Sequence, residues 1–244
     1  MTQFQGIDWV GDWLVASVDS CDSTMVAIEP LLGKTPKDPI FLYTYNQQAG
    51  RGQMGRKWEE EPGKSLALTL AYSRQAFSVD TDWVRLNKQL SASALMALQR
   101  VCPEPLLLKW PNDVYRGTGK LAGILQELRS DYFLFGLGVN LFERTWPEGI
   151  KGAALWSSDK GYASELLECL QHHMALPQVL EMPVEKFDKA LMFIGEKVQI
   201  QWPTGTQQEA IFIGVDERGS AILEMEDQRK AYAHGQVRLL MPVV

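Results

Sequence analysis

The sequence predicts an α+β fold, and three observations carry that reading. Through roughly the first four-fifths of the chain, apolar runs of strand length stand beside stripes at helical spacing. After Gly195 the helical stripes stop, and short strands separated by turn signals follow. Two of the longer apolar runs end in glycines, cations and amides, as expected of strands that deliver polar groups to a site.

In chain order, residues 25–32 can form a helix entered through Asp22-Ser23-Thr24. The run 40–45 reads as a strand. Residues 65–72 read as another, with large side chains at 66, 68, 70 and 72 alternating with small ones, so that one face is expected in the core. Residues 83–101 carry Val84, Leu90, Ala94, Leu95, Leu98 and Val101 at helical spacing. Leu106-Leu107-Leu108 and residues 132–141 are strands, and 161–174 and 184–193 are helices. Beyond them, 197–202, 209–215, 220–224 and 237–240 are short strands divided by Pro203-Thr204-Gly205 and Asp216-Glu217-Arg218-Gly219, the pattern of a small β-barrel. The expected division is 1–194 and 195–244.

Composition sets the outer bounds. With 244 residues, 45% of them hydrophobic, the chain can bury a substantial core. A net charge of −6 argues against bulk nucleic-acid affinity, which needs clustered Lys and Arg. No stretch resembles a signal peptide or approaches the roughly 18 apolar residues of a membrane span, so a cytoplasmic protein is expected, with no membrane partner. Cys21, Cys102 and Cys169 are scattered and odd in number, which suits free thiols in a reducing compartment. Cys169, His172 and His173 lie on one amphipathic segment without a second ligand pair, so zinc is not expected there. His234 is the remaining histidine, which leaves little for a Ser-His-Asp or Cys-His system.

Chemistry concentrates in two segments. The first runs Lys109-Trp110-Pro111-Asn112-Asp113, then Gly117-Thr118-Gly119-Lys120-Leu121-Ala122-Gly123-Ile124-Leu125. A strand ends in a cation, a rigid Pro, an amide and a carboxylate, and the glycines turn the chain so that Lys120 returns toward them. Such an arrangement suits an anion; a hairpin with both lysines solvated and Trp110 in the core is the alternative. The second is Asn46-Gln47-Gln48-Ala49-Gly50-Arg51-Gly52-Gln53-Met54-Gly55-Arg56-Lys57-Trp58. Its glycines allow close backbone approach while Arg51, Arg56 and Lys57 supply charge, so phosphate is the expected guest. Gly50 to Gly55 matches G-x-G-x-x-G, but a strand-like run follows where a Rossmann turn would open a helix, so a dinucleotide fold is not expected.

Together these segments resemble the catalytic domain of biotin protein ligases, as do Asp22-Ser23-Thr24 and Phe135-Gly136-Leu137-Gly138-Val139-Asn140-Leu141. The resemblance spans residues 22–141 and continues more weakly beyond. It implies a mixed central sheet flanked by helices, class II synthetase-like, with an SH3-like C-terminal barrel. The implied activity is ATP- and Mg2+-dependent activation of biotin as biotinyl-adenylate, followed by transfer to a lysine of a biotin carboxyl carrier domain. Lys120 would bridge the biotin carboxylate and the α-phosphate, and Arg51 with the Gly50 and Gly52 backbone would clamp carboxylate and phosphate oxygens. Arg56 and Lys57 would meet the outer phosphates. Asp113 would hold magnesium or orient the attacking lysine, and Asn112 would bond ATP; capping of the turn by both is the alternative. Biotin contacts are implied for Ser23, Thr24, Gln47, Gln53, Gly123 and Gly138, and nucleotide contacts for Trp58, Asn140 and Trp156, with Trp146 a rival for covering the adenine.

Met25 replaces the family's usual Asn, and Gln53 stands where many members have Arg, which bears on how tightly the adenylate is retained. About twenty residues precede Asp22, too few for the DNA-binding domain of ligase-repressors, so DNA is not an expected partner. The family includes monomers and homodimers, and both remain open. A lipoate or octanoate protein ligase, or a non-catalytic sensor, would share parts of the pattern. The 50–58 and 109–113 segments favour biotin, and Lys120 with Arg51 favours catalysis.

Overall fold

The computed structural model describes residues 3–34, 39–146, 148, 151–157 and 163–241. The first half of the chain builds one eight-stranded sheet. Its elements are β1 (Phe4–Val10), β2 (Trp13–Val18), the short α1 (Thr24–Ala27), β3 (Ile40–Thr44), β4 (Ser65–Ser73), α2 (Trp83–Val101), β5 (Leu106–Lys109), β6 (Asp113–Arg116), β7 (Gly119–Arg129) and β8 (Tyr132–Asn140). The spatial order is β1-β2-β3-β4-β8-β7-β6-β5. β2 and β3 run parallel while the other pairings are antiparallel, so the sheet is mixed.

Both faces of the sheet's central strands are covered, while the edge strand β1 is exposed. Leu66, Leu68, Leu70 and Tyr72 of β4 point into the larger core with Leu86, Leu90 and Leu98 of α2. On the opposite face Ala71, Leu42 and Leu134 pack with Met25 and Ile28 around α1. The one-sided strand expected at 65–72 is therefore buried on both sides, because its small residues face a close neighbour rather than water.

α2 starts where Asp82 Oδ1 accepts from the amides of Val84 and Arg85, both at 3.0 Å, satisfying two otherwise unpaired donors. After β8 come α3 (Ala163–His173), α4 (Leu176–Glu181) and α5 (Val184–Ala190), which pack beside α2. Gln89 of α2 donates 2.9 Å bonds to the carbonyls of Leu180 and Met182, and Tyr72 donates to Met174 O at 2.6 Å. Residues 161–162 of the expected helix lie outside the described residues. The helix expected over 25–32 is cut after Ala27, and Pro30 sits in a following 3-10 turn. The one expected over 184–193 stops at Ala190, and Phe193 takes φ +68°. α4 and the β1–β2 hairpin, turned by Gly11 at φ +61°, have no counterpart in the sequence reading.

The last quarter forms β9 (Lys197–Gln201), β10 (Gln207–Val215), β11 (Ala221–Met225), β12 (Gln228–Tyr232) and β13 (Arg238–Leu239), an antiparallel sheet in the order β12-β11-β10-β9-β13. Among the described residues β12 and β13 do not pair, so this is an open sheet where a barrel was expected. β13 has two residues, both paired to β9, too few rungs to close a ring. Trp110 Nε1 donates to Gly219 O at 3.0 Å and Lys88 Nζ to Val215 O at 3.4 Å, which ties this sheet to the first.

Candidate active site

A cleft of about 880 Å3 opens between the eight-stranded sheet and the C-terminal sheet. Its floor is the pairing of Gly123 in β7 with Gly138 in β8. The Trp58 indole lies on that floor: a Cβ at Gly138 would come within 2.6 Å of its Cε2, and one at Gly123 within 3.0 Å of its Cζ3. At Gly138 only glycine leaves room for the ring. Trp58 Nε1 lies near enough to favour charge on Glu60, yet no described acceptor meets it in hydrogen-bonding geometry, so it is a buried donor without a partner.

One end of the cleft is neutral and polar. Thr24 donates to Gln47 Oε1 from its amide at 2.9 Å and from Oγ1 at 3.3 Å, and Thr69 Oγ1 donates to Thr24 Oγ1 at 2.9 Å. Gln47 Nε2 donates to Glu60 Oε1 at 2.6 Å. Ser23 and Thr24 are buried here at the start of α1. Gly50 does not line the cleft but makes it possible, since a Cβ there would fall 2.6 Å from Gln47 Nε2.

The other end is cationic. Lys109, at the end of β5, is only 6% exposed, which removes it from the solvated hairpin considered above. Burial pushes its ammonium down to about 8; Asp113 opposes that, while Arg238, Lys120 and Arg56 add to it. Lys120 Nζ sits 2.7 Å from Asp113 Oδ1 and 5.3 Å from the centre of the Trp58 ring. His234 is pushed below its ordinary range by burial and by Arg56, against a pull from Asp113. Lys109 with Lys120, Arg56 and Arg238 around it, and one carboxylate, form a seat with a deficit of negative charge.

The 50–58 loop folds as a small hairpin over this seat. Gly52 N donates to Arg56 O at 2.7 Å and Trp58 N to Gly50 O at 2.9 Å. Its tip is a 3-10 turn, Gln53–Gly55, with Met54 at φ +56° and Gly55 at φ +73°; no α-helix opens here. Arg51, Arg56 and Lys57 remain exposed along the cleft, and Gln53 lines it. On the far wall, Gly235 faces Met54: a Cβ there would meet its Sδ at 3.1 Å.

Besides Gly50, three expected site residues sit elsewhere or act at one remove. Asn112 lines the cleft, but its Nδ2 donates to Ile124 O while Ile124 N donates to Asn112 O at 2.9 Å, so it pins the 110–112 turn to β7. Asp113 instead pairs with Lys120. Asn140 donates to Lys120 O at 3.1 Å and fixes that backbone from behind. Trp156 packs on Phe142 with ring centroids 5.7 Å apart, and the Arg144 guanidinium lies 4.4 Å from the centre of the Trp146 ring; neither indole lines the cleft. The sequence places Lys109 at a strand end in an arrangement that suits an anion but assigns it no part in binding or catalysis. The sequence reading missed Glu60, and His234 and Arg238 of the far wall, for which no local pattern spoke. Among the described residues no group of three His, Cys, Asp or Glu side chains could hold a metal ion.

Residues 17–141, which contain the floor, the loop and all of the cationic seat but Arg238, match the biotin/lipoate A/B protein ligase family. The chain belongs to that family. Among relatives of this biotin/lipoate ligase-family protein, a biotin–[acetyl-CoA-carboxylase] ligase of Mycobacterium tuberculosis is 28% identical over 215 residues, 82% of this chain and 79% of the relative. The bifunctional ligase/repressor BirA of Escherichia coli is 25% identical over 241 residues, covering 92% of this chain and 74% of its own length. The fold matches the biotin protein ligase of Aquifex aeolicus, solved with biotin and ATP, at a TM-score of 0.76, covering 93% of this chain and 99% of that one at 24% identity.

Proposed function

We propose that this family member is an ATP-dependent biotin protein ligase: it joins biotin to AMP and passes the biotinyl group to a lysine of a biotin carboxyl carrier domain. The observation that carries this reading is the polarity of the cleft. A neutral pocket of Thr24 and Gln47 suits a ureido ring, and it shares one glycine-floored space with the cations Lys109, Lys120, Arg56 and Arg238. A ligand with a neutral, hydrogen-bonding head and an anionic tail would lie along it, head at Gln47 and carboxylate toward Lys120.

The first step brings a carboxylate to a triphosphate, so repulsion must be removed before a bond can form. Lys120 and Lys109 would hold the carboxylate and α-phosphate oxygens together, and Arg51, Arg56 and Lys57 would take the departing pyrophosphate. Trp58, lying on the glycine floor, would pack under the ligand and keep water from that side of the mixed anhydride. Asp113, held at Lys120, would be freed as Lys120 turns to the phosphate, and would then orient the incoming carrier lysine. Mg2+ supplies charge neutralisation and phosphate geometry when it arrives with ATP; Asp113 is the one carboxylate among the described lining residues, which suits an ion that keeps waters and phosphates as its other ligands. We take residues 1–194 as the catalytic unit, with 195–244 closing the far wall. The free Cys21, Cys102 and Cys169 support a reducing, cytoplasmic setting.

The test is pyrophosphate release from ATP with biotin, lipoate or octanoate, followed by the mass of a carrier domain. Release with biotin and a mass gain of one biotinyl group are expected. Release with lipoate or octanoate alone would refute the reading.

A further inference from the structure

We propose that Glu60 is a positioning residue for the biotin end of the cleft, its carboxylate locking the Gln47 amide so that one fixed N–H faces the ligand. The inference rests on the biotin reading above. Both oxygens of Glu60 are used on Gln47: Oε1 accepts from Nε2 at 2.6 Å, and Oε2 accepts from the backbone amide at 3.3 Å. On its other side Gln47 Oε1 accepts both donors of Thr24. A flipped amide would set oxygen against carboxylate and nitrogen against two donors, so the orientation is fixed. The side-chain nitrogen has a second hydrogen, which Glu60 does not take, and it is left for a ligand carbonyl.

Glu60 is the inward member of Glu59-Glu60-Glu61. Glu59 pairs with Lys57 at 3.2 Å and Glu61 is exposed. Burial pushes the Glu60 carboxyl up to about 7, although the bonds from Gln47, the charge of Arg144 and the Trp58 indole pull it down. Arg144 itself donates to Glu59 O at 2.7 Å and Asn140 Oδ1 at 3.4 Å, so it lends Glu60 charge without pairing with it. Cys21, which also faces Glu60, is held neutral: burial first, then Glu60 and Asp22, push its thiol up to about 12. His234, across the cleft, titrates below its ordinary range. Lys109 at the cationic end, held at about 8, titrates in wild type and variant alike, and at the biotin end of the cleft Glu60 is therefore the group whose charge changes near neutrality. As pH falls through that point, its proton takes one of the two acceptor positions and the hold on Gln47 loosens, so biotin binding weakens toward acid.

The experiment is calorimetric biotin binding, with kcat and KM for biotin-dependent pyrophosphate release, on the wild-type chain and Glu60→Gln between about pH 6 and about pH 8. Wild type should lose affinity roughly fivefold to tenfold across the window, and Glu60→Gln should bind on the order of tenfold more weakly at the upper end with that slope abolished, the loss of one charge-assisted hydrogen bond. The change should fall on KM, with kcat at saturating biotin within about twofold. A merely structural role would lower the melting temperature but leave the pH slope in place. The wild-type profile below about pH 7, where Lys109 stays charged, already tests the inference, whatever the variant's fold. A flat wild-type profile, or the same slope in Glu60→Gln, would overturn the role of Glu60 and leave the ligase reading standing. A wild-type chain that neither binds biotin nor releases pyrophosphate with it would overturn both.

Discussion

Replacing Lys109 by Met should stabilise the protein while disabling it. Lys109 is 6% exposed, and burial holds its ammonium at about 8 instead of 10.5. At about 1.4 kcal/mol per pH unit, folding with that lysine charged costs about 3 kcal/mol. The unfolded chain binds the proton more tightly than the folded one, so the cost is fully present below about pH 8 and is relieved as pH rises toward 10.5. Met keeps the unbranched apolar stem and removes the charge, so Lys109→Met should be more stable than wild type at neutral pH by up to about 3 kcal/mol, roughly 6–12 °C in melting temperature for a chain of this size. The gap should close between about pH 8 and about pH 10, a window below the titration of Tyr45 and Tyr115, whose hydroxyls burial pushes up to about 12. Chemical denaturation of both proteins at several pH values measures the gap, and pyrophosphate release measures the lost activity. An equally stable or less stable variant at neutral pH, or a gap that does not close with pH, would refute the claim that desolvation of this cation is stored in the fold for an anionic ligand.

Three further outcomes follow from the same site. Lys120→Ala should raise the barrier to adenylate formation by about 3–4 kcal/mol, the loss of one preorganised charge, with circular dichroism unchanged; near wild-type pyrophosphate release would count against it. Gly138→Ala places a Cβ 2.6 Å from Trp58 Cε2 and must lift the indole, so it should cost about 1–3 kcal/mol in stability or biotin affinity and shift tryptophan emission; an unchanged spectrum and affinity would show that the ring does not rest there. Gln53→Arg adds a guanidinium to the tip of the loop over the cationic seat and should slow dissociation of the anionic adenylate by roughly 1–2 kcal/mol, followed by dilution of enzyme loaded with biotin and ATP; an unchanged rate would mean that Arg51 and Arg56 already hold it.

What could be read from the sequence was set by how local each cause is. The span of α2 was legible because Asp82 caps it and its apolar stripe repeats along one face. The alternation of large and small residues in 65–72 predicts β4 with one face in the core, yet both of its faces are buried. Ala71 and Thr69 are small because α1 lies close against them, and Thr69 reaches Thr24 through a 2.9 Å bond. Alternation in size, unlike alternation in polarity, marks two buried faces with different room. The chemistry on contiguous runs was legible for a similar reason: strand β5, its turn and β7 carry Lys109, Asp113 and Lys120 to one place through a hairpin the glycines announce.

The rest depended on contacts that no window of sequence contains. His234 and Arg238 reach the cationic seat only because a separate sheet docks through Trp110 and Gly219, more than a hundred positions apart. Glu60 is the sharper case, since it lies within a few residues of the glycine-rich loop and still could not be told from Glu59 and Glu61. The backbone decides among the three. Trp58 N bonds to Gly50 O at 2.9 Å and Gly63 N to Tyr45 O at 2.8 Å, so the chain leaves the loop and rejoins β3 along one fixed path. On that path the side chain after Glu59 is the one aimed at Gln47, and the carboxylate that composition would assign to water becomes the anchor of the neutral pocket.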